Sequence, residues 1–484
     1  MKKHTIIVPA LLVLISAGGS SGAEVPGTPT APNTFWTPPP RPSASPATPM
    51  TIPPDLEKRL QSMVLADVID VALSNNPATR AAWENAKAAS EHLESEKGAF
   101  WPQASADVNA IKYKTTASQG RIATKQTVYT GTLNLSYLLL DFGGRSARIE
   151  MARQALYTAD WTHNAVIQEV VLQVELAFFQ YVATKATLIA EQSTLAEAAA
   201  NLDSANRRHE AGVATIADVL LAKTALSQAQ LLIDSLQGAL QTTRGSLAVS
   251  MGLPAYVPVD FDLERIPKEL PTNQAMDTVE NLIQRALIER PDLAALQAQA
   301  QAATSHIREV KSSRWPTLNF NGNVGRTYFG GIDNHGDSYS AGLYVHVPLF
   351  TGFSQVHDER EAEAQAQAAT EQVGVMERQV ISQVFSSYYL LKTATQKITT
   401  SDDLLASATQ SEAVAGDRYK VGVGTIIELL TAQTALAEAR AQQIQARWEW
   451  YSTLAQLAHD TGVLDLHGES SLAPQTEPAE KESK

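Results

Sequence analysis

His357-Asp358-Glu359-Arg360-Glu361 is the nearest this 484-residue chain comes to a catalytic metal motif. A zinc hydrolase needs two histidines four residues apart on one helical face, with a glutamate beside them to activate water. Here the second histidine is missing. The other histidines are scattered, and the lone Gly422-x-Gly424 follows helical sequence rather than a strand, so it is no dinucleotide loop. Cysteine is absent, which removes disulfides, thiolate metal sites, thiol nucleophiles and the attachment point of a lipidated leader. The expectation is a protein that is not an enzyme and uses neither metal nor cofactor. With 38 basic and 51 acidic residues the net charge is −13, which would repel the phosphates of nucleic acid.

With catalysis set aside, the question becomes what the polar residues line and which elements hold them. Residues 1–23 read as a secretory signal peptide: a basic start (Lys2, Lys3, His4), an apolar run from Thr5 to Ala17, and small residues at Ser21-Gly22-Ala23. Residues 24–54 form a Pro-rich segment too poor in large apolar side chains to fold alone, and residues 467–484 read as a disordered tail. Beyond the leader no apolar run approaches the roughly 18 residues of a membrane helix, so no helical span is expected.

Between these ends the sequence repeats. Asn76-Pro77 recurs as Arg290-Pro291 and Trp101-Pro102 as Trp315-Pro316, each 214 residues on (291 − 77). Later the offset is 210 (422 − 212): Arg208-His209-Glu210-Ala211-Gly212-Val213-Ala214-Thr215-Ile216 lies over Arg418-Tyr419-Lys420-Val421-Gly422-Val423-Gly424-Thr425-Ile426. Identity that drifts by a small deletion marks a duplication. We assign residues 55–254 to a first repeat, 255–275 to a linker and 276–466 to a second repeat.

Each repeat carries the same signals in the same order. A helical stretch is broken at Pro77 or Pro291. After Trp-Pro come two segments of period two. Ala104, Ala106, Val108 and Ala110 oppose Gln103, Ser105, Asp107 and Asn109, and Leu133, Leu135 and Tyr137 oppose Thr132, Asn134 and Ser136; the second repeat does the same with Leu318, Phe320 and Val324 against Asn319, Asn321 and Asn323. Each strand has the length of a tilted membrane strand, and the polar face suits a wet interior, with Gly131 and Gly342 expected to reduce its bulk. Proline then vanishes between Pro102 and Pro254 and between Pro348 and Pro474. Helices of some 65 residues are expected from about Ser146 to Glu210 and from about Ser354 to Lys420, each turning at glycine into a return helix of about 35. Apolar positions cover more than one face of these rods, so neighbours are expected on both sides. The fold class is mainly α with a membrane β-barrel. Four strands cannot close a barrel, since about eight is the minimum, and three copies would supply twelve. The strands alone would also fit the edge of a soluble β-sandwich on a coiled-coil protein.

The Trp-Pro pairs, the turns Leu140-Asp141-Phe142-Gly143-Gly144-Arg145 and Pro348-Leu349-Phe350-Thr351-Gly352, and the doubled Arg-x-x-x-Gly-Val-x-Thr-Ile signature resemble the TolC-like outer-membrane efflux family over nearly the whole chain between leader and tail. The resemblance implies a homotrimer with a 12-stranded β-barrel in outer-membrane lipid and a periplasmic α-helical barrel. It implies a periplasmic adaptor (membrane fusion) protein and an inner-membrane pump of the RND, ABC or MFS type as partners. By the same resemblance the adaptor docks on the hairpin tips at Arg208, Gly212, Val213, Thr215, Arg418, Gly422, Val423 and Thr425. Asp218, Tyr419 and Glu428 fall on the family's periplasmic gate, where threefold symmetry would gather six carboxylates and favour cations. The sequence departs from the family where a gate-tying arginine falls on Gly424 and a second aspartate on Thr431. Simple turn chemistry also accounts for each glycine, and either carboxylate also fits a solvated helix residue.

Overall fold

The computed structural model describes residues 63–114, 125–263, 277–330 and 334–463. The chain divides into two units, Met1–Pro53 and Pro54–Lys484, and all described residues belong to the second. The expected leader, Pro-rich segment and tail lie outside the described residues.

Proline and glycine set the boundaries of the helical elements. Pro77 opens α2 (Pro77–Lys97), with Asn76 ending α1 (Leu65–Asn75) and accepting a hydrogen bond from the Ala78 amide at 2.9 Å. Pro291 separates α5 (Val279–Glu289) from α6 (Pro291–Ser312) in the same way. Each break is pressed onto the end of its repeat's return helix. The Asn76 amide donates to the Ser250 carbonyl and the Arg290 guanidinium to the Asp460 carbonyl. Gly252 (φ +74°) and Gly462 (φ +78°) receive the breaks so closely that a Cβ would meet backbone at 2.8 and 3.0 Å. Glycine is required there both by the left-handed turn and by the contact.

The rods match each other residue for residue. In chain order they are α3 (Gly144–Glu210) and α4 (Ile216–Ser250), then α7 (Ser354–Lys420) and α8 (Ile426–Asp460); α3 and α7 have 67 residues each, α4 and α8 have 35 each. At 1.5 Å per residue the longer pair runs on the order of 100 Å. The first rod begins two residues before the expected Ser146. Each starts after two consecutive left-handed residues, Phe142-Gly143 (φ +51° and +96°) in one repeat and Gly352-Phe353 (φ +66° and +68°) in the other. The same pair of residue types makes the same turn in reversed order.

The strands β1 (Gln103–Lys114), β2 (Lys125–Leu140), β3 (Thr317–Gly330) and β4 (Asn334–His346) form one antiparallel sheet in chain order, leaving β1 and β4 as its edges. Register puts Ala106, Leu133, Val324 and Tyr339 in one row and Asp107, Thr132 and Gly325 in the next, so the two faces separate by chemistry as the alternation requires. One assignment changes. Gly131 pairs with Val108 and Arg326 and so lies on the apolar face, because it shares parity with Tyr129 and Leu133; Gly342, opposite Asn321, is on the polar face as expected.

The hydropathy expectation also changes. α3 and α4 each hold an 18-residue window of mean hydropathy 1.3, long and apolar enough to cross a membrane by composition alone. In α3 half of that window is buried against other helices, while only 17% of the α4 window is covered within the chain. Packing faces on more than one side raise the mean without any unbroken apolar run.

Candidate functional site

Two places gather the polar chemistry: the hairpin tips and the polar face of the sheet. At each tip the rod ends in a left-handed glycine, Gly212 (φ +75°) or Gly422 (φ +82°). The Val213 amide donates to the Arg208 carbonyl at 2.9 Å and the Val423 amide to the Arg418 carbonyl at 3.0 Å, which satisfies the carbonyls the helix leaves free. Val213 and Val423 stand exposed on the turns. Thr215 and Thr425 then cap the return helices, accepting from the amides of Asp218 (3.3 Å) and Glu428 (3.2 Å).

The two carboxylates diverge at this point. Asp218 reaches back to accept from the Thr215 amide at 2.8 Å, completing a reciprocal cap. Glu428 lies instead 3.6 Å from Arg418 in an exposed ion pair. Tyr419 is buried among Ala205, Ala222, Ile426 and Leu429, and its hydroxyl has no hydrogen-bond partner among the described residues. Tyr419 of the second tip thus packs against the first hairpin, and its hydroxyl makes no hydrogen bond to Asp218.

Arg208 is what joins the repeats there. Its guanidinium stacks on the Tyr419 ring at 4.6 Å and donates to the Tyr419 carbonyl at 2.8 Å. It points into the seam between the repeats. Two further polar rungs join the repeats between α3 and α8: Asn201 to Gln433 at 2.6 Å and Arg440 to Glu197 at 3.4 Å. Above them Phe179 stacks on Tyr451 and Trp448, with centroids 5.3 and 6.3 Å away. The only sequence signal for the Arg208 clasp is the Arg-Tyr pair at 418–419 beside its counterpart Arg208-His209. At Gly424, where the family resemblance places a tying arginine, a Cβ would stand 3.0 Å from the Arg418 Cβ and 3.1 Å from backbone, so a side chain there needs the end of the rod to shift by a few tenths of an ångström.

Sequence reasoning also missed two buried carboxyls on α3. Burial pushes the Glu175 carboxyl up from its ordinary 4.5 to about 7, and one of its oxygens has no partner among the described residues. Burial likewise raises Glu191, against hydrogen bonding from Thr194 and the charge of Arg440. Among the described residues no three histidine, aspartate or glutamate side chains converge as metal ligands.

On the sheet, the polar face is laced by short hydrogen bonds, Asn134 to Asp107 at 2.6 Å and Asn323 to Ser340 at 2.9 Å. The apolar face carries Leu133, Leu135, Phe320, Val324, Tyr339 and Leu343, with one ion pair, Arg326 with Asp337, donating from Nη2 to Oδ2 at 2.9 Å. An opposite pair across neighbouring strands is satisfied within the sheet.

Comparison with known proteins identifies the family and agrees with the fold. The family model described as outer membrane efflux protein matches residues 68–253 and 282–463. The protein CyaE of Bordetella pertussis is 26% identical over 410 residues, covering 83% of this chain and 84% of that protein. The alkaline protease secretion protein AprF of Pseudomonas aeruginosa is 24% identical over 419 residues, covering 83% and 85%. Among solved structures, the outer membrane protein VceC of Vibrio cholerae superposes with a TM-score of 0.72 at 19% identity over 82% of this chain and 96% of its own. The Campylobacter jejuni CmeC outer membrane channel superposes with a TM-score of 0.75 at 15% identity over 82% and 85%. The chain belongs to the outer membrane efflux protein family.

Proposed function

We propose that this protein is the outer-membrane exit duct of a three-part export machine, a passive conduit with a gated periplasmic end. The observation that carries the reading is the sheet. One face is apolar, the other is lined by hydrogen-bonded Asn, Asp and Ser, and β1 and β4 are unpaired edges on a chain that also holds two 67-residue rods. An open edge in lipid leaves backbone amides and carbonyls without partners, at several kcal/mol each. Pairing β4 of one copy with β1 of the next removes the cost, and three copies make a 12-stranded barrel with a wet lumen.

The rods continue that lumen through the periplasm as an α-helical barrel. Asp218 and Glu428 ring its narrow end, six carboxylates in a trimer, and give it a preference for cations. The exposed tips, Gly212-Val213 and Gly422-Val423 with Thr215 and Thr425, meet a periplasmic adaptor that links the duct to an inner-membrane pump. Arg208 belongs to the closure of the tip rather than to docking, since it is spent on Tyr419. The relatives' names span protease secretion and antibiotic or toluene efflux, consistent with a wide conduit whose pump chooses the cargo.

The test is to isolate the protein from a membrane fraction. A trimer in the outer membrane that dissociates only on heating, and that conducts ions in a planar bilayer, supports the duct. A soluble periplasmic monomer without conductance would reject it in favour of a helical rod.

A further inference from the structure

The two strand hairpins descend from one unit, yet the ends that point away from the rods carry different charge. Between Asp107 and Asp141 the sequence holds no acidic residue, while Lys112, Lys114, Arg121 and Lys125 are basic. The matching end of the second hairpin, residues 326–337, sets Arg326 against Asp333 and Asp337. In a chain of net charge −13, an uncompensated cluster of cations marks out the first hairpin.

Register fixes the face that the lysines occupy. Ala110, Tyr129, Tyr328 and His335 form one row of the apolar face. Lys112 stands opposite Thr127 in the next row of that face, and Lys114 stands opposite Lys125 in the row after it. The other face changes character at the same level, where Ile111, Val128 and Phe329 share a row. This exchange of polar for apolar marks the height at which the outward face leaves hydrocarbon.

The spacing of the aromatic rows agrees. Tyr137 pairs with Phe320 on the rod side and Tyr129 with Tyr328 toward the turns, eight residues apart along the strand (328 − 320). At about 3.3 Å per residue and a tilt of about 40° the rows stand roughly 20 Å apart in height, close to the apolar band between the two girdles of a membrane barrel. The lysine rows then lie roughly 5 and 10 Å beyond the outer girdle, at the level of lipid headgroups.

The lysines are also short of partners. Arg326, one row on the rod side of the Tyr129–Tyr328 pair, is neutralised by Asp337. Among the described residues no carboxylate pairs with Lys112, Lys114 or Lys125. Like charges directly opposite each other, as Lys114 and Lys125 are, destabilise a ladder unless an anion lies between them. Directly opposed residues are about 5 Å apart and diagonal ones about 7–8 Å, so three ammonium groups can close on one phosphate.

We propose that Lys112, Lys114 and Lys125 bind the phosphate-monoester headgroup of a lipid in the outer leaflet, with its acyl chains lying along the apolar face beneath. The inference rests on the outer-membrane duct proposed above, which puts the hairpin turns at the cell surface. The chains have a place to lie: Gly131 has nothing within 4 Å of where a Cβ would stand, and it opens a hollow lined by Val108, Leu133 and Val324. The headgroup offsets the repulsion between Lys114 and Lys125. The second hairpin has no such cluster, so a trimer carries three sites, one on each copy.

The full-length protein is purified in detergent, and native mass spectrometry follows its binding of lipid A, a glycolipid with phosphate monoesters, and of the same lipid stripped of phosphate. The parent trimer should take up to three phosphorylated molecules and hold the stripped lipid far more weakly. At about fivefold for each lysine, Lys114→Gln with Lys125→Gln should weaken binding roughly 25-fold, and adding Lys112→Gln roughly 100-fold. The double variant keeps the test open should the triple variant not assemble. Replacing all three by arginine should retain binding, and inorganic phosphate at the lipid's concentration should not displace it. A conducting trimer whose glutamine variants bind lipid A as tightly as the parent, or whose parent binds the stripped lipid or phosphatidylglycerol equally well, overturns the site and leaves the duct standing. A soluble monomer without conductance overturns both.

Discussion

The two rods began as one sequence and now differ in what they bury. α3 buries two carboxyls, Glu175 and Glu191, the second beside Arg440 of the second repeat, at positions where α7 carries Phe385 and Ser401. The rod whose seam closes within the chain can hold a strained polar group, because its partner helix α8 is covalently tethered and always at hand. The rod whose seam is open carries aromatics, the side chains that bind a separate partner with the least loss of rotamer freedom. In the trimer proposed above, the duplicated protein would divide its interfaces into a permanent one and an assembled one.

The largest test of this division is truncation of the aromatic on each rod. Phe179→Ala should cost about 3–5 kcal/mol in the chaotrope-induced unfolding of separated chains, as for a buried core aromatic. Tyr389→Ala should cost them about 1 kcal/mol or less and should instead lower the temperature at which the trimer dissociates on a gel. Equal losses for the two in separated chains would erase the distinction.

The buried carboxyl gives the next effect, with a definite sign. Folding raises the Glu175 pKa from 4.5 to about 7, so in that window the native chain keeps a proton the unfolded chain has released. Its stability is greatest below about pH 4.5 and falls as pH rises through about 7, by up to about 3 kcal/mol. Glu175→Gln should therefore gain thermal stability over the parent at pH 8 and gain none at pH 4.5. Phe385→Glu, the same carboxyl on the exposed face, should give separated chains no comparable pH dependence.

At the tips the pair to compare is Arg208 and Arg418. Arg208→Ala removes a ring stack and a hydrogen bond, together about 1–3 kcal/mol, and should raise single-channel conductance by loosening the contact between hairpins. Arg418→Ala removes an exposed ion pair with Glu428, expected to contribute less than about 1 kcal/mol, with little change in conductance. The smallest effect concerns the caps. Asp218→Ala opens a reciprocal cap at about 1 kcal/mol, whereas Glu428→Ala should cost less because Thr425 still caps alone. Made together, the two changes should lower cation preference in planar bilayers; an unchanged reversal potential under a salt gradient would refute the carboxylate ring.

Much of the fold was legible because its causes are periodic. Alternation of period two placed the strands, loss of proline placed the rods, and the 210-residue offset anticipated two matched helical hairpins. The departures have local causes. Gly131 was put on the wrong face because a glycine shows no polarity of its own, and only its register with Val108 and Arg326 fixes its side. At the site, the tip glycines were legible as turn chemistry, whereas the capping role of Thr215 and Thr425 was not. Nor was the inward turn of Arg208, since a long flexible side chain at a helix end has no periodic signal. Glu175 was equally hidden, because a carboxyl on a long helix reads as solvated until the neighbouring helix is known.

One feature of the rods bears on how such a protein can change. The four-residue difference between the repeats falls between the Trp-Pro pairs and the rod starts, in the stretch that holds the strand hairpin, while 67 matches 67 and 35 matches 35 beyond it. The rods act as a common gauge: a residue inserted in one alone would rotate everything below it by about 100°, the 3.6-residue turn of the helix, and unseat every rung down to Tyr419. Lengthening the molecule therefore requires matched insertions in all four rods at once, whereas the hairpins at the other end are free to vary one at a time.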